Sequence, residues 1–328
     1  MVKAKNCMTL LASLMVAGAA LLAPLPASAQ GLFNGYWFAI FDEDQPERVP
    51  GPDLGDYAGL PLTPAAISIG HGWDPAELTI PEEGCRTHPS LYGWRSVGFA
   101  RIWEEADPYT QHPVKIKTWL SINAQHRDIW LEGNEPPHPS PLEPNTWQGF
   151  SVAKWVGNQL LVHTDHIKGA WTRRNGLPTT DKATLDEVWL RYGDLMTHIM
   201  MVSDPAYLSE PMVKSNEYLL DVNGRMDAYP CYPADETPRP EGTVPMYLPG
   251  MNPSDGDFAV RNHVPIEAAD GGAQTMLPEY QDYLSKLPPN PAKAEVEKTS
   301  QKVYAAQAAH DLLMIKPGVK AKQAKDTP

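Results

Sequence analysis

Hydrophobic and polar positions alternate most clearly in the middle of the chain. Residues 115–122 place Ile116, Thr118, Leu120 and Ile122 on one face and Lys115, Lys117, Trp119 and Ser121 on the other, which is the period of two of a β-strand. Residues 127–131 read as a second strand, closed by Glu132-Gly133-Asn134. Residues 151–156 and 159–166 are separated by Gly157-Asn158 alone, and residues 184–192 and 195–203 by Gly193-Asp194. Such two-residue connections tolerate positive φ and predict tight hairpins. The strand at 195–203 carries Met196, Met200 and Val202 on one side and Leu195, Ile199 and Met201 on the other, so both of its faces need cover. These features predict a mainly β protein with a curled or closed, barrel-like antiparallel sheet, an arrangement that removes exposed edges.

The flanks differ from this centre. Residues 30–100 are rich in Pro, Gly and acidic side chains with short apolar fragments, and predict an irregular segment wrapped on the β domain of 101–215. Residues 216–291 form a second turn-rich extension. Val296, Val303, Ala306, Leu312 and Leu313 fall near helical spacing and predict a C-terminal helix over 292–316, with 317–328 as a disordered basic tail.

Composition narrows the class. The 328 residues include 34 prolines, about twice the usual share, so long helices should be few. A formal charge of −13 without a basic cluster in the body of the chain argues against nucleic acid. At the N-terminus, Lys3 and Lys5 precede an apolar stretch over 8–22, and Ala27-Ser28-Ala29 precede Gln30. This pattern predicts a signal peptide over 1–29 and a periplasmic or secreted mature chain. No later apolar run approaches the roughly 20 residues of a membrane helix, so no membrane span is expected in the mature chain. In an oxidising compartment the two remaining cysteines, Cys85 and Cys231, are expected to form one disulfide, the alternative being two buried thiols.

The run Gly149-Phe150-Ser151-Val152-Ala153-Lys154-Trp155-Val156-Gly157-Asn158-Gln159-Leu160-Leu161-Val162-His163-Thr164 resembles the G-x-S-x-G-x-W-E-G-D-x-L-V-V-x-T block of an uncharacterised family of exported bacterial proteins. Arg174-Asn175-Gly176-Leu177-Pro178 with Asp181, and Asp204-Pro205-Ala206-Tyr207-Leu208-Ser209-Glu210-Pro211, are similar to the downstream part of that pattern. The sequence departs from it at Ala153, Val156 and Asn158, where Gly, Glu and Asp are usual. The resemblance implies export and transfers no functional residue.

Candidate chemistry lies in the same region. Gly149-Phe150-Ser151-Val152-Ala153 imitates a hydrolase nucleophile elbow, but a strand and hairpin follow where a helix is required, so Ser151 reads as a strand residue. Five histidines, at 126, 138, 163, 166 and 198, fall in the β region. His163 shares a face with Asp165, His166 points to the other, and His198 lies with Met196 and Met200. If that last face is the interior of a barrel, His163 or His166 can meet His198 across it. His163, Asp165 and His198 are then candidate catalytic groups, and His163, His166 and His198 candidate ligands of a divalent metal, although no cofactor is firmly indicated. The alternatives are hydrogen-bonded core histidines and a pH sensor.

Arg173 and Arg174 could grip a carboxylate or phosphate, or form a solvated loop partnered by Asp181 or Asp186. Trp119, Trp130, Trp147, Trp155, Trp171 and Trp189 crowd one stretch, and Trp119, Trp130, Trp155 and Trp189 are candidates to line a pocket. The leading expectation is a soluble exported protein that binds a small, partly apolar molecule in a β-sheet pocket. A metal-assisted hydrolase, a His/Asp lyase or isomerase, and an envelope interaction protein are the alternatives.

Overall fold

The computed structural model describes residues 33–40, 52–74, 85, 87–96, 98–121, 124–226 and 246–288. Nine strands close into a barrel: β1 (Gly35–Ile40), β2 (Phe99–Ala106), β3 (Pro113–Leu120), β4 (Gln125–Leu131), β5 (Phe150–Val156), β6 (Gln159–Asp165), β9 (Thr184–Tyr192), β10 (Leu195–Ser203) and β11 (Met212–Leu220). Their order around the barrel is β1-β11-β10-β9-β6-β5-β4-β3-β2. A separate ribbon pairs β7 (Trp171–Arg173) with β8 (Leu177–Pro178).

The two expected hairpins are present, with Val156 opposite Gln159 and Tyr192 opposite Leu195. Gly157 and Gly193 sit at φ +64° and +62°, a positive-φ backbone that glycine enters without a Cβ penalty. One ladder departs from the antiparallel expectation. β4 and β5 run parallel over three residue pairs, Ile129 to Ser151, Trp130 to Val152 and Leu131 to Ala153. The long proline-rich connection over 132–149 makes this feasible, since a parallel return needs far more chain than a hairpin does.

The stretch expected to be an irregular wrap supplies more than a cover. Its Gly35–Ile40 segment is β1, which completes the barrel between β11 and β2. It also carries two helices, α1 (Pro64–His71) and α2 (Ser90–Ser96). Thr63 caps α1 by accepting from the Ala66 amide, and Pro64 opens its first turn. α2 is buried almost completely, with Leu91, Tyr92, Trp94 and Arg95 all at 0–1% exposure. A Cβ at Gly93 would lie 2.8 Å from the Gln125 side chain, so glycine there lets α2 press onto β4. Trp94 packs against Trp189, His198 and Tyr218 at 5.2, 4.9 and 5.4 Å between ring centroids, and the Tyr218 hydroxyl donates to its carbonyl. Phe33 adds a ring against Trp155 and Trp189. The barrel interior is therefore a packed aromatic core.

β11 runs through the expected boundary at 215, and the turn-rich extension contains helices α3 (Asp257–Asn262), α4 (Ile266–Ala269) and α5 (Pro278–Leu284). Backbone bonds from Tyr57 to Ala269 and from Gly272 to Leu60 tie this region to the segment before α1. Among the described residues no helix is long and apolar enough to cross a membrane. Cys85 lies in a turn with a left-handed φ of +51°. Its expected partner Cys231, the signal peptide at 1–29, the helix at 292–316 and the tail at 317–328 lie outside the described residues.

Candidate functional site

Strand alternation sorts the polar side chains of the barrel wall onto two faces. Inside, Arg127 of β4, Ser151 of β5, Thr164 of β6, Glu187 of β9 and His198 of β10 form one network, each at most 3% exposed. Arg127 donates from Nη1 to Glu187 Oε1 at 3.0 Å and from Nη2 to Oε2, while its Nε donates to Ser151 at 2.9 Å and Nη2 also reaches Thr164. His198 Nε2 donates to the same Glu187 Oε1 at 2.8 Å. Burial alone pushes the Glu187 carboxyl up, but the Arg127 guanidinium and His198 outweigh it and hold it at about 2. Every oxygen of that carboxylate is occupied and the core closes around it. This network locks strands together, and His198 Nδ1 is buried without a hydrogen-bond partner among the described residues.

Outside, the same strands build a concave groove of about 470 Å³. Its walls follow two neighbouring rows of paired residues. One row runs Val152, His163, Asp186, Met201 across β5, β6, β9 and β10. The next runs Lys154, Leu161, Val188, Ile199, with Glu132 at the rim. On the outer face the lining side chains Val152, Leu161, Val188 and Met201 are apolar, and they share the groove with one oriented polar pair. His163 Nδ1 lies 2.7 Å from Asp186 Oδ1, with the two side chains 57% and 48% exposed. The carboxylate can only accept, so in the neutral ring the proton sits on Nδ1 and the Nε2 lone pair is presented outward.

The structure separates the residues that the sequence nominated together. His163 and His198 lie on opposite faces of the wall and do not meet, because Leu160, Val162 and Thr164 supply the inner face of β6. His166 follows β6 with a left-handed φ of +55°, and its ring lies edge-on to His138 at 6.4 Å between centroids. Asp165 accepts from His138 at 2.9 Å, and this bond raises the pKa of His138. Among the described residues no three His, Cys, Asp or Glu side chains are placed to hold a metal ion.

The expected tryptophan pocket is likewise dispersed. Trp119 is buried at 4% exposure, Trp155 and Trp189 belong to the aromatic core, and Trp130 carries Lys115 over its ring at 4.7 Å. Trp130 lies opposite Val152 in the first row, which places it beside the groove. Arg173 is 7% exposed and tied to the Asp56 carbonyl and carboxylate, where Asp181 or Asp186 was expected, so it pins a loop. Arg174, next to it, is half-buried in the same ribbon.

Sequence reasoning missed Asp186, Lys154, Leu161 and Val188. The Gly157-Asn158 turn does fix Lys154 opposite Leu161 and Val152 opposite His163, so half the groove is implicit in that hairpin. Asp186 arrives through the β6–β9 pairing, which no short turn specifies. In comparisons with known proteins, no family model, no curated protein and no solved structure matches this chain.

Proposed function

We propose that the chain is an exported protein that binds a small, partly apolar molecule in the groove on the outer wall of its barrel. The observation that carries this reading is a groove of about 470 Å³ whose apolar side chains share it with a single oriented His163–Asp186 pair. Ligand sites commonly span about 300–1,000 Å³ and combine an apolar lining with a few placed polar groups. Among the described residues the barrel interior is occupied by packed side chains, Phe33 and Trp94 among them. Export rests on the signal-peptide pattern before Gln30 and on the family resemblance. The test is titration of the mature protein with an environment-sensitive naphthalene dye, in wild type, Val188→Arg and the interior control Met200→Leu. Saturable binding that Val188→Arg abolishes and Met200→Leu keeps is expected. Binding that never saturates, or that survives Val188→Arg, overturns the reading.

A further inference from the structure

We propose that this groove selects molecules carrying a hydroxyl group, and that His163 is the residue that reads it. The inference rests on the groove reading above and adds the chemical class of the ligand. Asp186 holds the proton on His163 Nδ1, which leaves Nε2 as an acceptor fixed in direction. Nε2 has no other partner among the described residues, and the ring is 57% exposed. Beside it stand Val152 and, in the next row, Leu161 and Val188, so a molecule lying on those side chains brings its polar end to the imidazole.

The charges at the site narrow the class further. Glu132 and Asp186 set two carboxylates against the one ammonium of Lys154, so an anionic head is repelled. Lys154 stands diagonally from His163 across the β5–β6 pair, a separation of about 7–8 Å or less, within the reach of a lysine stem. Lys154 makes no ion pair among the described residues. A hydroxyl can donate to His163 Nε2 and accept from Lys154 Nζ at once. An ether or ketone of the same shape can only accept, and leaves the imidazole lone pair without a partner in a partly dried site. The class is thus an uncharged apolar body with one hydroxyl, such as an alkylphenol or a medium-chain alcohol.

The experiment compares para-butylphenol with para-butylanisole, which share a body and differ in the O–H donor, by calorimetric or NMR titration of the mature protein. The wild type should prefer the phenol about threefold to tenfold, the range one neutral hydrogen bond supports. His163→Leu should bind both alike at the wild-type anisole affinity. His163→Gln should keep part of the preference, because its amide oxygen can accept. Equal affinities in the wild type, or a preference that persists in His163→Leu, overturn the assignment of His163 while leaving the groove standing. If neither probe binds, or if Val188→Arg leaves both affinities unchanged, the groove reading fails and this inference falls with it.

Discussion

Asp186 and Glu187 are consecutive on β9 and serve opposite faces of the barrel wall. Asp186 orients His163 in the outer groove, and Glu187 receives Arg127 and His198 in the core. One peptide bond therefore joins the candidate site to the network that fixes the strand beneath it. The outer pair can be rigid because the inner carboxylate is bonded from two other strands, so the groove inherits its geometry from the barrel core.

The inner network gives the first prediction. Glu187→Gln leaves the Arg127 charge buried without its counter-ion, and should destabilise the protein by about 3–5 kcal/mol in urea denaturation. Replacing both partners, Arg127→Met with Glu187→Leu, should cost far less than either single change. The Glu187 carboxyl lies below its ordinary 4.5, at about 2, so its contribution is present above 4.5 and is lost as pH falls toward 2. A double variant as unstable as the sum of the singles would exclude this account.

The turns give the second. A Cβ at Gly157 meets no atom within 4 Å, so any cost of substitution there comes from the backbone alone. Gly157→Val should destabilise by about 1 kcal/mol or more, and Gly157→Asn by clearly less, because asparagine tolerates positive φ. Equal denaturation midpoints for the two variants would show that φ is not what the turn demands.

Those hairpins were also the most legible part of the chain. A period-two pattern broken by two residues, one a glycine, leaves little freedom, and β9 and β10 fall at 184–192 and 195–203 as read from sequence. β1 was not legible, since Gly35–Ile40 is a short run in proline-rich surroundings and its partners β2 and β11 are distant in sequence. Nor was α2, where Gly93 and the buried Arg95 disrupt the pattern of an amphipathic helix; Arg95 Nη1 donates to the Thr172 carbonyl. His163 was nominated with the wrong partner. Alternation assigns it a face shared with Asp165, but which face looks inward depends on β6 pairing with β9, a contact without a connecting turn.

The third prediction concerns Cys85. A non-reducing peptide map of the protein, purified without reductant, should contain a peptide joining Cys85 to Cys231. Closing so long a loop removes on the order of 5 kcal/mol of unfolded-state entropy in the chain model, so reduction should lower the melting temperature markedly. Alkylation of both residues as free thiols under denaturant would remove the pairing.

The last prediction turns on His71 at the end of α1, which holds the C-terminal helical region to the barrel's flank. Its Nε2 lies 2.9 Å from Asp270 and its Nδ1 lies 3.7 Å from Asp255, while Tyr57 stacks on the ring. The hydrogen bond with Asp270 raises the His71 pKa above 6.5, against a smaller opposing effect of burial. A raised pKa means that the folded state binds the proton more tightly than the unfolded state. The charge-assisted part of the contact therefore stabilises fully below about 6.5 and is lost as pH rises through the folded value. Backbone ties such as Tyr57 to Ala269 do not titrate, so the region should stay docked while its stability declines. The measurement is the urea midpoint of wild type minus that of Asp270→Asn, followed from about pH 5.5 to about pH 8.5. The difference should be largest at the acid end and shrink toward the alkaline end. A difference that is flat across that range would mean His71 is held as a neutral ring, with Asp270 acting as an ordinary acceptor.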